Sequence, residues 1–190
     1  TASGFIGIDA SGTGLFSINN NSVGNDLPDN IRTGYLLTGA NLSNTAVTPT
    51  AASGSSAVHG IRSSAVAAAL TITNNLVHGI QVSGTATAYN GITNSGAVTG
   101  TINLNNNQLG NIDAGAVRFM FNNTGVVTGI SNTGATATTT VNLNNNSIEG
   151  ISAVSLTSNL TGILSSANAG VAININNNNY KVQKKIYKEH

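Results

Sequence analysis

The stretch VNLNNNSIEGI, residues 141–151, decides how this chain is read. Two apolar residues alternate with polar ones, three asparagines follow, and Ile148 and Ile151 restore the apolar pattern. Asparagine favours neither helix nor strand interiors, so its repeated use needs a reason. The phrase has four relatives: FSINNNSVGND from 16, LTITNNLVHGI from 70, INLNNNQLGNI from 102 and ININNNNYKVQ from 173. They align without gaps, their starts 54, 32, 39 and 32 residues apart. A second phrase keeps step with the first: GIDASG at 7, GIRSSA at 60, GITNSG at 91, GISNTG at 129 and GILSSA at 162. Each begins 9 to 12 residues ahead of the next asparagine phrase. Two motifs that hold one order through five rounds define an internal repeat, the signature of a stacked architecture.

Within the phrases the apolar residues recur at every second position: Val141 and Leu143, Ile102 and Leu104, Ile173 and Ile175. Period two means strand, and Val117, Phe119 and Phe121 repeat the pattern. Gly, Asn, Ser and Thr around them are turn residues. So short a unit cannot bury its apolar face alone, and stacking on its neighbours does so. The expected fold is all-β: a parallel β-solenoid of about five coils, ~4.8 Å apart and roughly 24 Å tall. It would occupy residues 1–180. Its first interval carries a long insertion within 27–59, read as a loop or one further coil, and a basic tail follows at 181–190.

Stacking gives the asparagines a purpose. Asn20, Asn74, Asn106, Asn145 and Asn177 fall in one file. Asn19, Thr73, Asn105, Asn144 and Asn176 flank it on one side, Asn21, Asn75, Asn107, Asn146 and Asn178 on the other. A primary amide both donates and accepts, so stacked amides can form a ladder along the axis, as in cross-β structures. Asparagine also tolerates the left-handed backbone of a sharp bend. At least one file is therefore expected to be an inward ladder at a corner, structural rather than catalytic. The glycines of the second phrase read as bends.

Composition agrees with a regular fold. The 190 residues are 39% hydrophobic and only 7% charged, against roughly 25% charged in ordinary domains. Solubility rests on Ser, Thr, 22 glycines and thirty asparagines. Disordered chains combine low hydrophobicity with high net charge; this one has spaced apolar residues and a net charge of +1. Four of the five lysine and arginine residues beyond Arg62 and Arg118 stand in the closing KVQKKIYKEH with Arg32 the remaining one, which reads as a solvated terminus. No basic patch interleaved with aromatics exists, so a nucleic-acid partner is not expected. There is no cysteine, hence neither disulfides nor thiolate metal sites. No apolar run approaches a membrane span and no signal-peptide pattern opens the chain. The sequence starts partway round a repeat. Because open solenoid ends template association, the expectation is a segment of a longer solenoid or ends that meet copies of the chain.

With phrases such as NNNSIEGI and GITNSG, the chain resembles bacterial secreted right-handed parallel β-helix repeat proteins. It is most similar to the very large, low-complexity surface proteins of Bacteroidota-type bacteria. The resemblance covers nearly the whole chain. It implies export, often through a C-terminal signal, and a place on the cell surface or in the matrix. It also implies the right-handed sense, which is the usual hand of parallel crossovers. The same fold class includes polysaccharide lyases and hydrolases.

Candidate chemistry is sparse. Asp9, Asp26, Asp29, Asp113 and Glu149 are the acids before the tail. Asp26 and Asp29 in NDLPDN read as a turn rather than a calcium loop, since no EF-hand or glycine–aspartate repeat is present. Asp113 and Glu149 follow equivalent phrases at different offsets and make no carboxylate pair for glycoside hydrolysis. Arg62 and Arg118 read as isolated surface residues. His59 and His78 precede Gly in different phrases and should face different ways, so neither a metal site nor a Ser–His–Asp triad is expected. Met120 with Arg118 would form a small outward patch beside Phe119 and Phe121. Sequons at Asn20, Asn41, Asn122, Asn145 and Asn159 are no more than this composition produces by chance.

The expected function is non-enzymatic: an extracellular, adhesin-type segment of a surface stalk or fibre, needing no cofactor. Its partners would be copies of itself or neighbouring solenoid segments. A polysaccharide-binding or polysaccharide-degrading β-helix is the alternative. Ice binding is a third reading, undercut because Thr71, Thr101 and Thr140 give way to Leu15 and Ala172.

Overall fold

In the computed structural model the described residues are 5–24, 31–33, 52–82, 84–111, 117–119, 121–153, 157, 159–166, 170 and 172–182. Asp26, Asp29, Asn41, Asp113, Met120 and the tail from 183 lie outside them, as does most of the insertion within 27–59.

Among the described residues every element is a strand, and the strands pair in parallel across three sheets. The first sheet orders Phe5–Ala10, Ala52–Ser63, Gly84–Asn94, Val127–Asn132 and Leu160–Ser165. The second orders Thr13–Asn19, Val66–Thr73, Val98–Asn105, Thr140–Asn142 and Ala172–Asn174. The third is curled and takes two short stretches from most repeats. One limb runs through Ser22–Val23, Leu76–Val77, Gln108–Leu109, Ser147–Ala153 and Asn179–Val182. The other runs through Ile31–Thr33, Ile80–Val82 and Val117–Phe119 and rejoins Ser147–Ala153. In all three sheets, sequence order is stacking order.

This pairing is the gap-free alignment of the phrases made physical. Phe16, Leu70, Ile102, Val141 and Ile173 pair in one file. Phe5–Ala10 pairs directly with Val58–Ser63, and Thr13–Asn19 with Val66–Thr73. Among the described residues, these strands of the first two repeats pair with nothing between them.

The core is one cluster of inward side chains from all three sheets. Leu70, Ile72, Ile102 and Leu104 are fully buried from the second sheet with Leu143 just past its strand, Ile61, Tyr89, Ile92 and Ile130 from the first, and Ile80, Leu109 and Ile148 from the third. In the first sheet the alternation slips at each Gly–Ile. Val58, Ile61 and Ser63 are buried whereas His59 and Arg62 are not. These glycines therefore shift the phase of a strand without ending it. They also lack positive φ, so a left-handed turn does not explain them. Space does. A Cβ at Gly60 would lie 2.5 Å from Val77 Cγ1 and 2.6 Å from the Gly91 carbonyl oxygen. At Gly7, Gly129 and Gly162 the crowding neighbours are Val23, Ile148 and Tyr180.

Among the described residues the buried hydroxyl of Tyr89 has no hydrogen-bond partner, and burial pushes the phenol far above its ordinary range. Its ring meets Phe119 edge-on at 6.1 Å. Tyr89→Phe keeps that contact and removes the orphaned group, so urea unfolding should show it equal to the parent or more stable by about 1 kcal/mol. A loss above about 1 kcal/mol would mean that the hydroxyl has a partner after all.

Candidate functional site

The most developed constellation is the corner joining the second and third sheets. Asn20, Asn74, Asn106, Asn145 and Asn177 all adopt φ between 54° and 57° and are the only non-glycine residues with positive φ among those described. All five side chains are exposed. Left-handed backbone costs most L-residues roughly 1–2 kcal/mol, and asparagine visits it readily. Asn106→Gly should therefore be neutral within a few tenths of a kcal/mol, whereas Asn106→Ala should lose ~1 kcal/mol. Equal losses in thermal melts would assign Asn106 to a side-chain contact instead.

The next file turns inward. Asn75, Asn107 and Asn146 are buried, with Asn21 and Asn178 half-buried at either end. Asn75 donates both its backbone N–H and Nδ2 to Asn107 Oδ1, at 3.1 and 3.0 Å. Asn107 does the same to Asn146 Oδ1 at 3.0 and 3.1 Å, and Asn146 to Asn178 Oδ1 at 2.9 and 3.0 Å. Asn21 opens the series on Asn75 Oδ1. Each Nδ2 also reaches back one repeat to a backbone carbonyl: Asn75 to Ile18, Asn107 to Ile72, Asn146 to Leu104 and Asn178 to Leu143. The file binds five repeats, each Oδ1 accepting from the repeat before it while each of these Nδ2 groups also donates back to that repeat's backbone.

The third file faces outward. Thr73 Oγ1 donates to Asn19 Oδ1 at 2.7 Å, Asn144 N–H to Asn105 Oδ1 at 2.8 Å, and Asn176 N–H to Asn144 Oδ1 at 2.9 Å. Two further amide files were not anticipated. Asn103, Asn142 and Asn174 bond in series on the second sheet at 2.9 and 2.8 Å. At another corner, buried Asn94 donates to Asn132 Oδ1 at 2.9 Å and to the Gly134 carbonyl at 2.7 Å. Buried Asn123 mimics a neighbouring strand, accepting the Thr87 N–H at 2.8 Å and donating to the Thr87 carbonyl at 3.0 Å.

The titratable residues scatter around this framework. Arg62 is not isolated: it makes a two-pronged pair with Asp9, one repeat away, at 3.0 and 2.8 Å. That hydrogen bonding holds the Asp9 carboxyl below its usual range and raises Arg62. Asp9 therefore stabilises the fold above its unfolded pKa, and loses that contribution as pH falls through the folded value. The pair is well exposed, so the contribution is small. His59 Nδ1 lies 3.1 Å from Thr93 Oγ1, and burial, followed by Arg62, lowers its pKa. His78 is buried, its Nε2 3.3 Å from Ser22 Oγ. Glu149 approaches Lys181 at 3.7 Å. Arg118 is half-buried between inward Val117 and Phe119, and Phe121 lies beyond that strand's end.

The threonine file proposed for ice needs correction. In the observed register it reads Leu15, Ala69, Thr101, Thr140, Ala172. Thr71 belongs with Ser17, Asn103, Asn142 and Asn174. Two threonines in five make no array. Among the described residues no three His, Cys, Asp or Glu gather as metal ligands, and no helix is long and apolar enough to cross a membrane. Comparison with known proteins adds no relative: no family model, no curated protein and no solved structure matches this chain.

Proposed function

We propose that the chain is a right-handed parallel β-solenoid of about five coils that serves as a non-enzymatic, extracellular segment of a surface stalk or fibre. What carries this reading is the inward asparagine file, which hydrogen-bonds each repeat to the next from Asn21 to Asn178. Such a column resists bending and sliding together, because any shift breaks backbone and side-chain bonds at once. The outer files of Thr and Asn amides give a neutral, hydrated surface with few lysines or arginines among the described residues, where trypsin would cut. The right-handed sense follows the usual hand of parallel crossovers.

The test joins two measurements on the purified chain. Single-molecule stretching from its two ends should give one cooperative, high-force rupture rather than a series of weak steps. A panel of neutral and uronate polysaccharides should remain undegraded and unbound. Turnover that disappears in Glu149→Gln would overturn this reading in favour of the polysaccharide-active alternative.

A further inference from the structure

The outer face of the first sheet carries two files of side chains, one on each side of the Gly–Ile pairs. His59 stands in one file between Ile6 and Asn90, and Arg62 in the other between Asp9 and Thr93. Both belong to the strand Ala52–Ser63, and they reach in opposite directions. Arg62 reaches back to the first repeat and holds Asp9 by two hydrogen bonds, at 3.0 and 2.8 Å. His59 reaches forward to the third repeat and across to the second file, where its Nδ1 lies 3.1 Å from Thr93 Oγ1. Side chains thus tie the second repeat to both of its neighbours. One of those ties is made by a group that titrates near neutrality.

The surroundings of His59 disfavour its charged form. The ring is half-buried. Among the described residues, its own strand offers one charged neighbour on this face, Arg62, and the strand Phe5–Ala10 offers Asp9. The strand Gly84–Asn94 offers none, since its one titratable group, Tyr89, lies in the core. The single carboxylate is already committed to Arg62, so a proton on His59 adds a second cation with no anion of its own. It also constrains Thr93. A neutral imidazole can accept from the threonine hydroxyl or donate to it, whereas an imidazolium only donates. Burial and then Arg62 lower the pKa of His59, and Asp9 opposes them.

We propose that His59 is an acid-sensitive tie between the second and third repeats, which holds while the ring is neutral and loosens the first sheet when the ring takes up a proton. The imidazolium has two courses. It stays on Thr93 and repels Arg62, or it turns to Asp9 and competes for the carboxylate that Arg62 holds. Each course weakens a contact between neighbouring repeats. A histidine harder to protonate in the folded than in the unfolded chain adds stability that is complete above its unfolded value, about 6.5. That stability drains away as pH falls through the folded value. The Asp9 contribution is lost only below the unfolded carboxylate value, about 3.9, so the two windows are separate. The amides of the inward asparagine file do not titrate. Acid therefore loosens the first sheet while the corner between the second and third stays joined.

Proton NMR of the full chain reads the titration directly. The His59 ring, assigned through its isotope-labelled backbone, should titrate with a midpoint below ~6.5. Arg62→Gln should raise that midpoint, because it removes the cation and releases Asp9. Urea unfolding reads the consequence. Between pH ~7.5 and ~5, the range in which histidine changes charge, the parent's urea midpoint should fall. His59→Gln, whose amide can bond Thr93 without a proton, should lose less than half as much. A His59 titration midpoint at or above ~6.5 in the parent would overturn the proposal. An equal fall of the urea midpoint in the parent and in His59→Gln would do the same, by placing the acid sensitivity elsewhere in the chain.

Discussion

Asn107→Leu should destabilise the protein by about 3–5 kcal/mol in urea unfolding, although leucine has nearly the same shape. Asn107 is 1% exposed and sits mid-file. Its side chain accepts from Asn75 twice and donates to Asn146 Oδ1 and to the Ile72 carbonyl. Leucine leaves the Asn75 backbone N–H buried with no acceptor and takes one donor from the Ile72 carbonyl. Each buried, unmade bond costs about 1–3 kcal/mol, more together than the ~2 kcal/mol that burying the leucine returns. Position along the file supplies the control. Asn21→Leu severs fewer bonds in a half-buried place and should cost less than half as much. Equal losses at the two positions would mean that the amides merely fill space.

Gly91→Ala should cost about 2–4 kcal/mol, at the upper end for overpacking. A Cβ there would lie 2.7 Å from Leu109 Cδ1 and 2.8 Å from the Gly129 carbonyl oxygen. The leucine can move, but the carbonyl belongs to the next repeat's backbone and is held by its strand pairing. Leu109→Ala alone opens a cavity in the core and should also cost about 2–5 kcal/mol. Combined, the two changes should fall short of their sum by at least about 1 kcal/mol, the coupling expected of residues in contact. Strict additivity would show that the side-chain clash is not the source of the loss.

Repeat phase, strand assignment and inward parity were legible because the strands stack in register. In such a stack a gap-free alignment of phrases is a map of neighbours: the files drawn from the five asparagine phrases recur as paired files and hydrogen bonds. The same map held signals that went unread. Asp9 and Arg62 each stand two residues after the glycine of consecutive second phrases, so their pairing could be found by aligning GID with GIR. Tyr89 stands two residues before Gly91, where Phe5, Val58, Val127 and Leu160 stand in the other repeats, which marks it as inward.

Other features had no signal. The Asn94–Asn132 bond lies in a file that also contains Ala10, Ser63 and Ser165, too mixed to announce a ladder. The role of the Gly–Ile glycines depends on how closely the first and third sheets approach. Periodicity reports neighbours along the stack, and says nothing of distances across it.

The inward file also bears on how the protein ages. Asparagine loses its amide spontaneously when the next residue's backbone nitrogen attacks the side-chain carbonyl and closes a five-membered imide. For Asn106 that nitrogen belongs to Asn107 and is already donated to Asn146 Oδ1; for Asn107 it belongs to Gln108 and is donated to the Asn75 carbonyl at 2.9 Å. Asn20, Asn74 and Asn145 are guarded in the same way by Asn21, Asn75 and Asn146. The bonds that join the repeats thus also keep these asparagines from converting to aspartate, whose charges would push neighbouring repeats apart. Asn177 stands outside that protection, since among the described residues nothing holds the nitrogen of Asn178.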